Sequence, residues 1–310
     1  QVMSPPRAQS ETITPDSEHK SLAERLPQPA RDYALLARFD RPIGWWLLFW
    51  PCAWGTWLAG AGLQWQLVAW FLLGSIAMRS AGCVYNDIVD RDLDRSVART
   101  ANRPIASGRV SRKQAWIWLL VLCGVGLVVL LQLRWQAQLV ALGSLALVAA
   151  YPFMKRITWW PQAWLGLVFT WGALVGWTAL RDDNLGVMLA LYAGAFFWCM
   201  GYDTIYAMQD REDDALVGIK SSALRLGNKV KPGVAGFYTA AVALWALAFW
   251  QLRGDWIALL ALVPAALHLG WQVVTLDGDD PMNPLTRFRS NRYAGALVAA
   301  ACFVMGNAGG

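Results

Sequence analysis

Apolar residues run almost unbroken through nine stretches of this chain, and polar residues gather between them. The stretches are Ile43 to Gly60, Leu67 to Cys83, Ala115 to Leu133, Ala137 to Phe153, Gln162 to Leu180, Leu185 to Ile205, Gly233 to Leu252, Trp256 to Val274 and the shorter Tyr293 to Met305. Most approach the roughly 20 residues that a helix needs to cross a bilayer. Their apolar character is continuous and does not alternate, so they read as helices and not as the strands of a membrane barrel. The predicted fold class is all-α: a membrane bundle of about nine transmembrane helices.

Composition agrees, with 56% hydrophobic and 15% charged residues. Cys52, Cys83, Cys123, Cys199 and Cys302 all fall within predicted spans and form no C-x-x-C, so neither a disulfide framework nor a zinc site is indicated. The net charge of +6 does not point to nucleic acid, because its distribution follows the spans. All Lys and Arg residues except Arg134, Arg181 and Arg253 fall on the side that holds the N-terminus. The positive-inside rule then puts that side in the cytoplasm. Residues 1–30 are rich in Pro, Ser, Thr and mixed charge and read as a disordered cytoplasmic leader, with residues 31–310 forming the membrane domain. Acidic Glu11, Asp16, Glu18 and Glu24 speak against a mitochondrial transit sequence, so the expected location is a bacterial inner membrane. The twenty tryptophans, such as Trp45 and Trp159 at span edges, read mostly as an interfacial belt.

Two long loops, after the second and sixth spans, carry the candidate chemistry. The first opens with Asn86-Asp87-Ile88-Val89-Asp90-Arg91-Asp92-Leu93-Asp94. In a continuous helix Asp87, Asp90 and Asp94 share one face. The second holds Asp203, Asp210 and Asp214, which share a face by the same reckoning. Stacked carboxylates repel unless a cation sits between them. With no paired His or Cys, that cation is a hard, oxygen-binding one such as Mg²⁺, which completes its octahedron with water and substrate phosphates. Arg99 and Arg103 follow the first cluster, Lys155 and Arg156 lie between spans four and five, and Lys220 and Arg225 follow the second. Such residues suit a diphosphate. The plainer alternative is that these charges form solvated, salt-bridged loops at the membrane edge.

These residues resemble the UbiA superfamily of membrane prenyltransferases, and within it the 4-hydroxybenzoate polyprenyltransferase branch. The similarity is carried by Asp40-Arg41-Pro42-Ile43-Gly44, by Met78-Arg79 leading into the first Asp motif, and by Arg99-Thr100-Ala101-Asn102-Arg103-Pro104. It continues through Tyr151-Pro152-Phe153-Met154-Lys155-Arg156, Tyr202-Asp203-Thr204-Ile205-Tyr206-Ala207-Met208-Gln209-Asp210 and Gly218-Ile219-Lys220-Ser221-Ser222. Asn86, Asp87, Asp90 and Asp94 fill the family pattern N-D-x-x-D-x-x-x-D without departure.

The resemblance implies a helical bundle around a central cavity, and transfer of a polyprenyl group from its diphosphate to the 3-position of 4-hydroxybenzoate. It implies Mg²⁺ on Asp87, Asp90, Asp94, Asp210 and Asp214, with Asp203 also catalytic. Asn86, Arg99, Arg103, Lys155 and Arg156 would bind the diphosphate. Arg41 or Arg79 would meet the aromatic acid, although either could equally anchor a helix end. No obligate protein partner is indicated. The competing readings are the same fold with another aromatic acceptor, and a cation-coupled transporter. The transporter calls for ionisable or broken helices at the bilayer midplane, whereas these clusters sit at one edge.

Overall fold

The computed structural model describes residues 17–19, 24–97, 100–211, 215–216 and 218–308. Among the described residues every regular element is helical. In chain order these are α1 (Ala30–Leu36), α2 (Ile43–Leu58), α3 (Trp65–Val89), α4 (Arg91–Ser96) and α5 (Arg112–Leu130). They continue with α6 (Trp135–Ile157), α7 (Pro161–Phe169), α8 (Gly172–Thr178), α9 (Leu185–Ala207) and α10 (Ser222–Leu226). The last are α11 (Val230–Arg253), α12 (Trp256–Leu260), α13 (Val263–Thr275), α14 (Asn283–Arg289) and α15 (Asn291–Asn307).

Each of the nine apolar stretches falls on helix, but among the described residues six segments, on α3, α5, α6, α9, α10–α11 and α12–α13, are long and apolar enough to cross a membrane. The other three differ for local reasons. The 16 residues of α2 span only about 24 Å at 1.5 Å per residue, short of the bilayer core. The fifth stretch divides between α7 and α8 at Thr170 and Trp171. There the Thr170 hydroxyl donates back to the Gly166 carbonyl, a bond that bends helices. The 17-residue α15 also falls short. A smaller break separates α12 from α13, where Pro264 lies in the first turn of the new helix and has no N–H to continue the old one.

The chain forms two compact units, one of residues 1–42 with 80–121 and the other of 43–79 with 122–310. In the first, Leu35, Leu36, Val84, Ile88, Ile105 and Val110 are buried, and Tyr33 meets Trp118 edge to face at 5.9 Å. Of the expected leader, residues 1–16 and 20–23 lie outside the described residues. Within it, the backbone N–H groups of Glu18 and His19 donate to the Asp40 carbonyl at 3.0 and 3.1 Å.

The second unit packs α9 along α11, and α2 between α8 and α15. Its core is aromatic: Trp54, Trp177, Trp198, Trp245 and Tyr202 are buried, with Trp54 and Trp198 rings 4.9 Å apart. Close helix approach depends on Gly55, where a Cβ would stand 2.3 Å from the Ala173 carbonyl oxygen. Small residues let membrane helices meet in this way.

Candidate active site

The first Asp motif lies in the first unit, and its carboxylates keep a common phase. α3 ends at Val89, yet Asp90 N donates to Asn86 O and Asp94 N to Asp90 O, both at 2.8 Å. The i to i−4 ladder therefore runs through the junction into α4. Asp87, Asp90 and Asp94 are 1%, 2% and 7% exposed, whereas the Asp92 side chain on the opposite face is 77% exposed. Asp90 begins α4 without its side chain capping the helix.

Buried carboxylates need partners, and two arginines supply them. Arg103 Nη1 donates to Asp87 Oδ1 at 3.1 Å and to Asp94 Oδ1 and Oδ2 at 3.1 and 3.0 Å. Arg38 Nη2 donates to both oxygens of Asp87 at 2.9 Å. Burial pushes the Asp94 carboxyl above the usual carboxylate range, against the opposing pull of Arg103.

Local structure fixes both arginines. The turn after α1 is a Schellman motif: Arg38 N donates to Leu35 O at 3.1 Å and Phe39 N to Ala34 O at 3.0 Å. Arg38 occupies the left-handed position at φ 59°, where glycine is the usual residue and any other costs about 1 kcal/mol or more. Its Nη1 donates to Leu35 O at 2.9 Å, covering a terminal carbonyl of α1 with positive charge. The loop carrying Arg103 is tied at several points. Thr100 Oγ1 donates to Asp94 O at 2.9 Å, Arg95 Nε to Ala106 O at 2.8 Å, and Arg109 bonds Asp32 Oδ1 at 2.9 Å and Asn102 O at 2.8 Å.

Arg38, Arg41, Arg103, Asp40 and Asn102 help to line a cavity of about 20 Å³, room for a water. Arg41, one of the two residues expected to meet an aromatic acid, has its Nε 3.4 Å from Asp40 Oδ2.

Among the described residues no three His, Cys, Asp or Glu side chains form a ready metal cage. The donor chemistry nevertheless fits a hard cation. Every donor is oxygen, and Asn86, one helical turn before Asp90, has a buried Oδ1 without a hydrogen-bond partner. Asp87, Asp90, Asp94 and Asn86 are the residues able to hold Mg²⁺ here.

The second unit carries Asp203, Asp210 and Arg79. Asp203 is half-buried in the last turns of α9, which ends at Ala207, and Asp210 closes a 3₁₀ turn, Met208–Asp210. The second motif is therefore not one continuous α-helix. Three residues at about 120° instead of about 100° each turn Asp210 by roughly 60°, leaving it about 40° from the direction of Asp203 and on the same side. Arg79 stacks its guanidinium over the Phe169 ring at 5.3 Å, and Tyr202 lies within electrostatic range of both Arg79 and Asp203. The Gly218–Ser222 segment is fastened near Asp203. Thr204 Oγ1 and Ser222 Oγ are 2.7 Å apart, Ser222 N donates to Gln162 Oε1 at 2.9 Å, and Lys220 Nζ reaches Ile157 O at 3.4 Å.

Arg156 is exposed at the end of α6. Arg99 and Asp214, and the side chain of Lys155, lie outside the described residues. Arg38 was missed by the sequence reading: no periodicity marks it, and its left-handed backbone shows only in the fold.

The chain matches the UbiA prenyltransferase family over residues 48–304. It is 40% identical over 304 residues to the mitochondrial 4-hydroxybenzoate polyprenyltransferase of Aedes aegypti, covering 94% of this chain and 69% of that one. With the Arabidopsis thaliana protein of the same description it is 43% identical over 279 residues, covering 88% and 68%. A solved UbiA homolog from Archaeoglobus fulgidus bound to GPP and Mg²⁺ superposes with a TM-score of 0.66 at 21% identity, over 88% of this chain and 99% of that one. The relatives correct one expectation. The Aedes and Arabidopsis proteins are described as mitochondrial, so the assignment to a bacterial inner membrane, with loops facing a cytoplasm, does not stand. Neither an asymmetry of charge between loops nor a few acidic residues near the N-terminus identifies a compartment.

Proposed function

The chain belongs to the UbiA prenyltransferase family of membrane enzymes, and from that membership we propose that it transfers a polyprenyl group from polyprenyl diphosphate to the 3-position of 4-hydroxybenzoate, a step of ubiquinone biosynthesis. The observation that carries the chemistry is the buried row Asp87, Asp90 and Asp94 on one helical face, bracketed by Arg38 and Arg103. The names of the Aedes and Arabidopsis relatives support the acceptor, and the GPP and Mg²⁺ of the Archaeoglobus structure support a prenyl diphosphate with a divalent ion.

In this reading Asp87, Asp90 and Asp94 hold Mg²⁺ with Asn86, and Asp203, Asp210 and Asp214 serve the same role in the second motif. Mg²⁺ bound there supplies charge neutralisation as diphosphate departs. Arg99, Arg103, Lys155 and Arg156 bind the diphosphate oxygens. The allylic C–O bond breaks with its electron pair leaving on the diphosphate. The ring carbon ortho to the phenol oxygen then forms the new C–C bond, and proton loss from that carbon restores aromaticity. Arg79, stacked on Phe169, or Arg41, beside Asp40, orients the carboxylate of the acid. Residues 31–310 form the catalytic domain, a membrane-embedded set of helices that excludes water from the allylic cation.

The test is to incubate membranes containing the protein with geranyl diphosphate and labelled 4-hydroxybenzoate, with Mg²⁺ or with EDTA. A 3-prenylated product that requires Mg²⁺ is expected. Diphosphate release without that product would reassign the acceptor, and no ionisation of any prenyl diphosphate would overturn the reaction class.

A further inference from the structure

Beside the first motif stands an arginine whose backbone conformation is unfavourable and whose two terminal nitrogens are both engaged. Arg38 stands at φ 59° in the glycine position of the turn after α1, yet it is only 9% exposed. From there Nη1 is anchored on Leu35 O at 2.9 Å, and Nη2 reaches both oxygens of Asp87 at 2.9 Å. Glycine would relax the turn and remove that reach. Strained residues of this kind persist where the surrounding structure holds them for a purpose. The anchor on α1 also sets Arg38 apart from Arg103, which donates to two carboxylates from a single nitrogen.

We infer that Arg38 is a positioning residue: it fixes the orientation of the Asp87 carboxylate and offsets its charge, so that Asp87 is presented in one geometry to an incoming metal–diphosphate complex. The inference rests on the reading of Asp87 as a metal ligand. Two separable consequences follow. The two-oxygen contact sets geometry, which a lysine cannot reproduce. The charge weakens the pull of the site on a free cation, which a lysine retains and a glycine does not.

The experiment compares purified native enzyme with Arg38→Lys, Arg38→Gly and Asp87→Asn. Thermal unfolding in detergent reports the fold, Mn²⁺ binding without prenyl diphosphate is read by electron paramagnetic resonance, and steady-state kinetics are measured at saturating Mg²⁺. In Arg38→Gly the half-saturating Mn²⁺ concentration is expected to fall severalfold, and in Arg38→Lys to stay near native. In both, kcat is expected to fall about tenfold or more with little change in either KM, the scale of an outer-shell partner of a metal ligand. A merely structural role would not tighten Mn²⁺ binding. Unchanged Mn²⁺ binding in Arg38→Gly, or a kcat within about twofold of native in both variants, overturns the inference. Full activity and native Mn²⁺ binding in Asp87→Asn would instead remove the metal-ligand reading beneath it, whereas an inactive Asp87→Asn beside native-like Arg38 variants removes only the role of Arg38.

Discussion

A Cβ on Gly44 would stand 2.5 Å from Nε of Arg79, so the glycine of the Asp40–Gly44 motif makes the room in which the Arg79 guanidinium lies over Phe169. The two residues are distant in sequence and belong to different helices, α2 and α3. Gly44→Ala is expected to leave the fold intact, because the displaced atoms belong to a flexible side chain and α2 favours alanine. The guanidinium would shift by about an ångström, enough to cost up to about a hundredfold where alignment matters. If Arg79 orients the aromatic acid, KM for 4-hydroxybenzoate rises at least several-fold while KM for the prenyl diphosphate is unchanged. Equal changes in both would argue that Arg79 does not meet the acid.

Arg103→Ala removes the shared partner of Asp87 and Asp94, which are 1% and 7% exposed. Breaking a buried pair by deleting one side typically costs about 3–5 kcal/mol. Arg38 still serves Asp87, so a loss nearer 2–3 kcal/mol is expected, together with a large fall in turnover. Arg103→Lys keeps the charge but not the reach to two carboxylates, and should lie between. Denaturation in detergent and initial rates on the same preparations check both effects; a stable, fully active Arg103→Ala would show that the bridge contributes to neither.

How much of this was legible beforehand divides along physical lines. Continuous apolarity is a one-dimensional signal, so all nine stretches were placed on helix. What ends a helix is local, and the break at Thr170 and Trp171 falls inside a stretch whose apolarity runs on without interruption. The phase of Asp87, Asp90 and Asp94 was legible because spacing alone sets it, and the hydrogen-bond ladder through Asp90 preserves it. The 3₁₀ turn that ends at Asp210 was not, since nothing in the spacing distinguishes it from α-helix. Arg38 was invisible for a different reason: its role depends on a left-handed turn and a contact 49 residues away in sequence.

Away from the candidate site, four helices of the second unit meet at a buried amide pair. Asn291 Oδ1 accepts from Trp198 Nε1 at 2.9 Å and Gln272 Nε2 at 3.0 Å, and its Nδ2 donates to Gln272 Oε1 at 3.1 Å. Tyr238 completes the group by donating to Gln272 Oε1 at 2.7 Å. Single interhelical bonds in membranes average about 0.6 kcal/mol, but Asn291→Leu would strip several at once and leave buried polar atoms unsatisfied. A loss of about 2 kcal/mol is expected, read as a lower thermal midpoint in detergent, with the Mg²⁺ requirement of any remaining activity unchanged. An unaltered midpoint would mean that the four helices pack equally well without the polar lock.

Asp210→Asn separates charge from shape at the second motif. Asparagine is nearly isosteric, and position 210 is half-buried in a short 3₁₀ turn, so the variant should elute and unfold like the native enzyme. Its amide has one oxygen and no charge, and therefore gives a divalent cation a far weaker ligand. Lewis-acid assistance to a phosphoryl oxygen is worth several kcal/mol, and each 1.36 kcal/mol is tenfold in rate. Turnover should thus fall by about a thousandfold or more, at every Mg²⁺ concentration or until Mg²⁺ is raised far above the native requirement. Purified, folded Asp210→Asn with native activity would remove Asp210 from the metal set. Loss of activity in both Asp210→Asn and Asp87→Asn, with folding preserved, would show that both carboxylate motifs are needed for turnover.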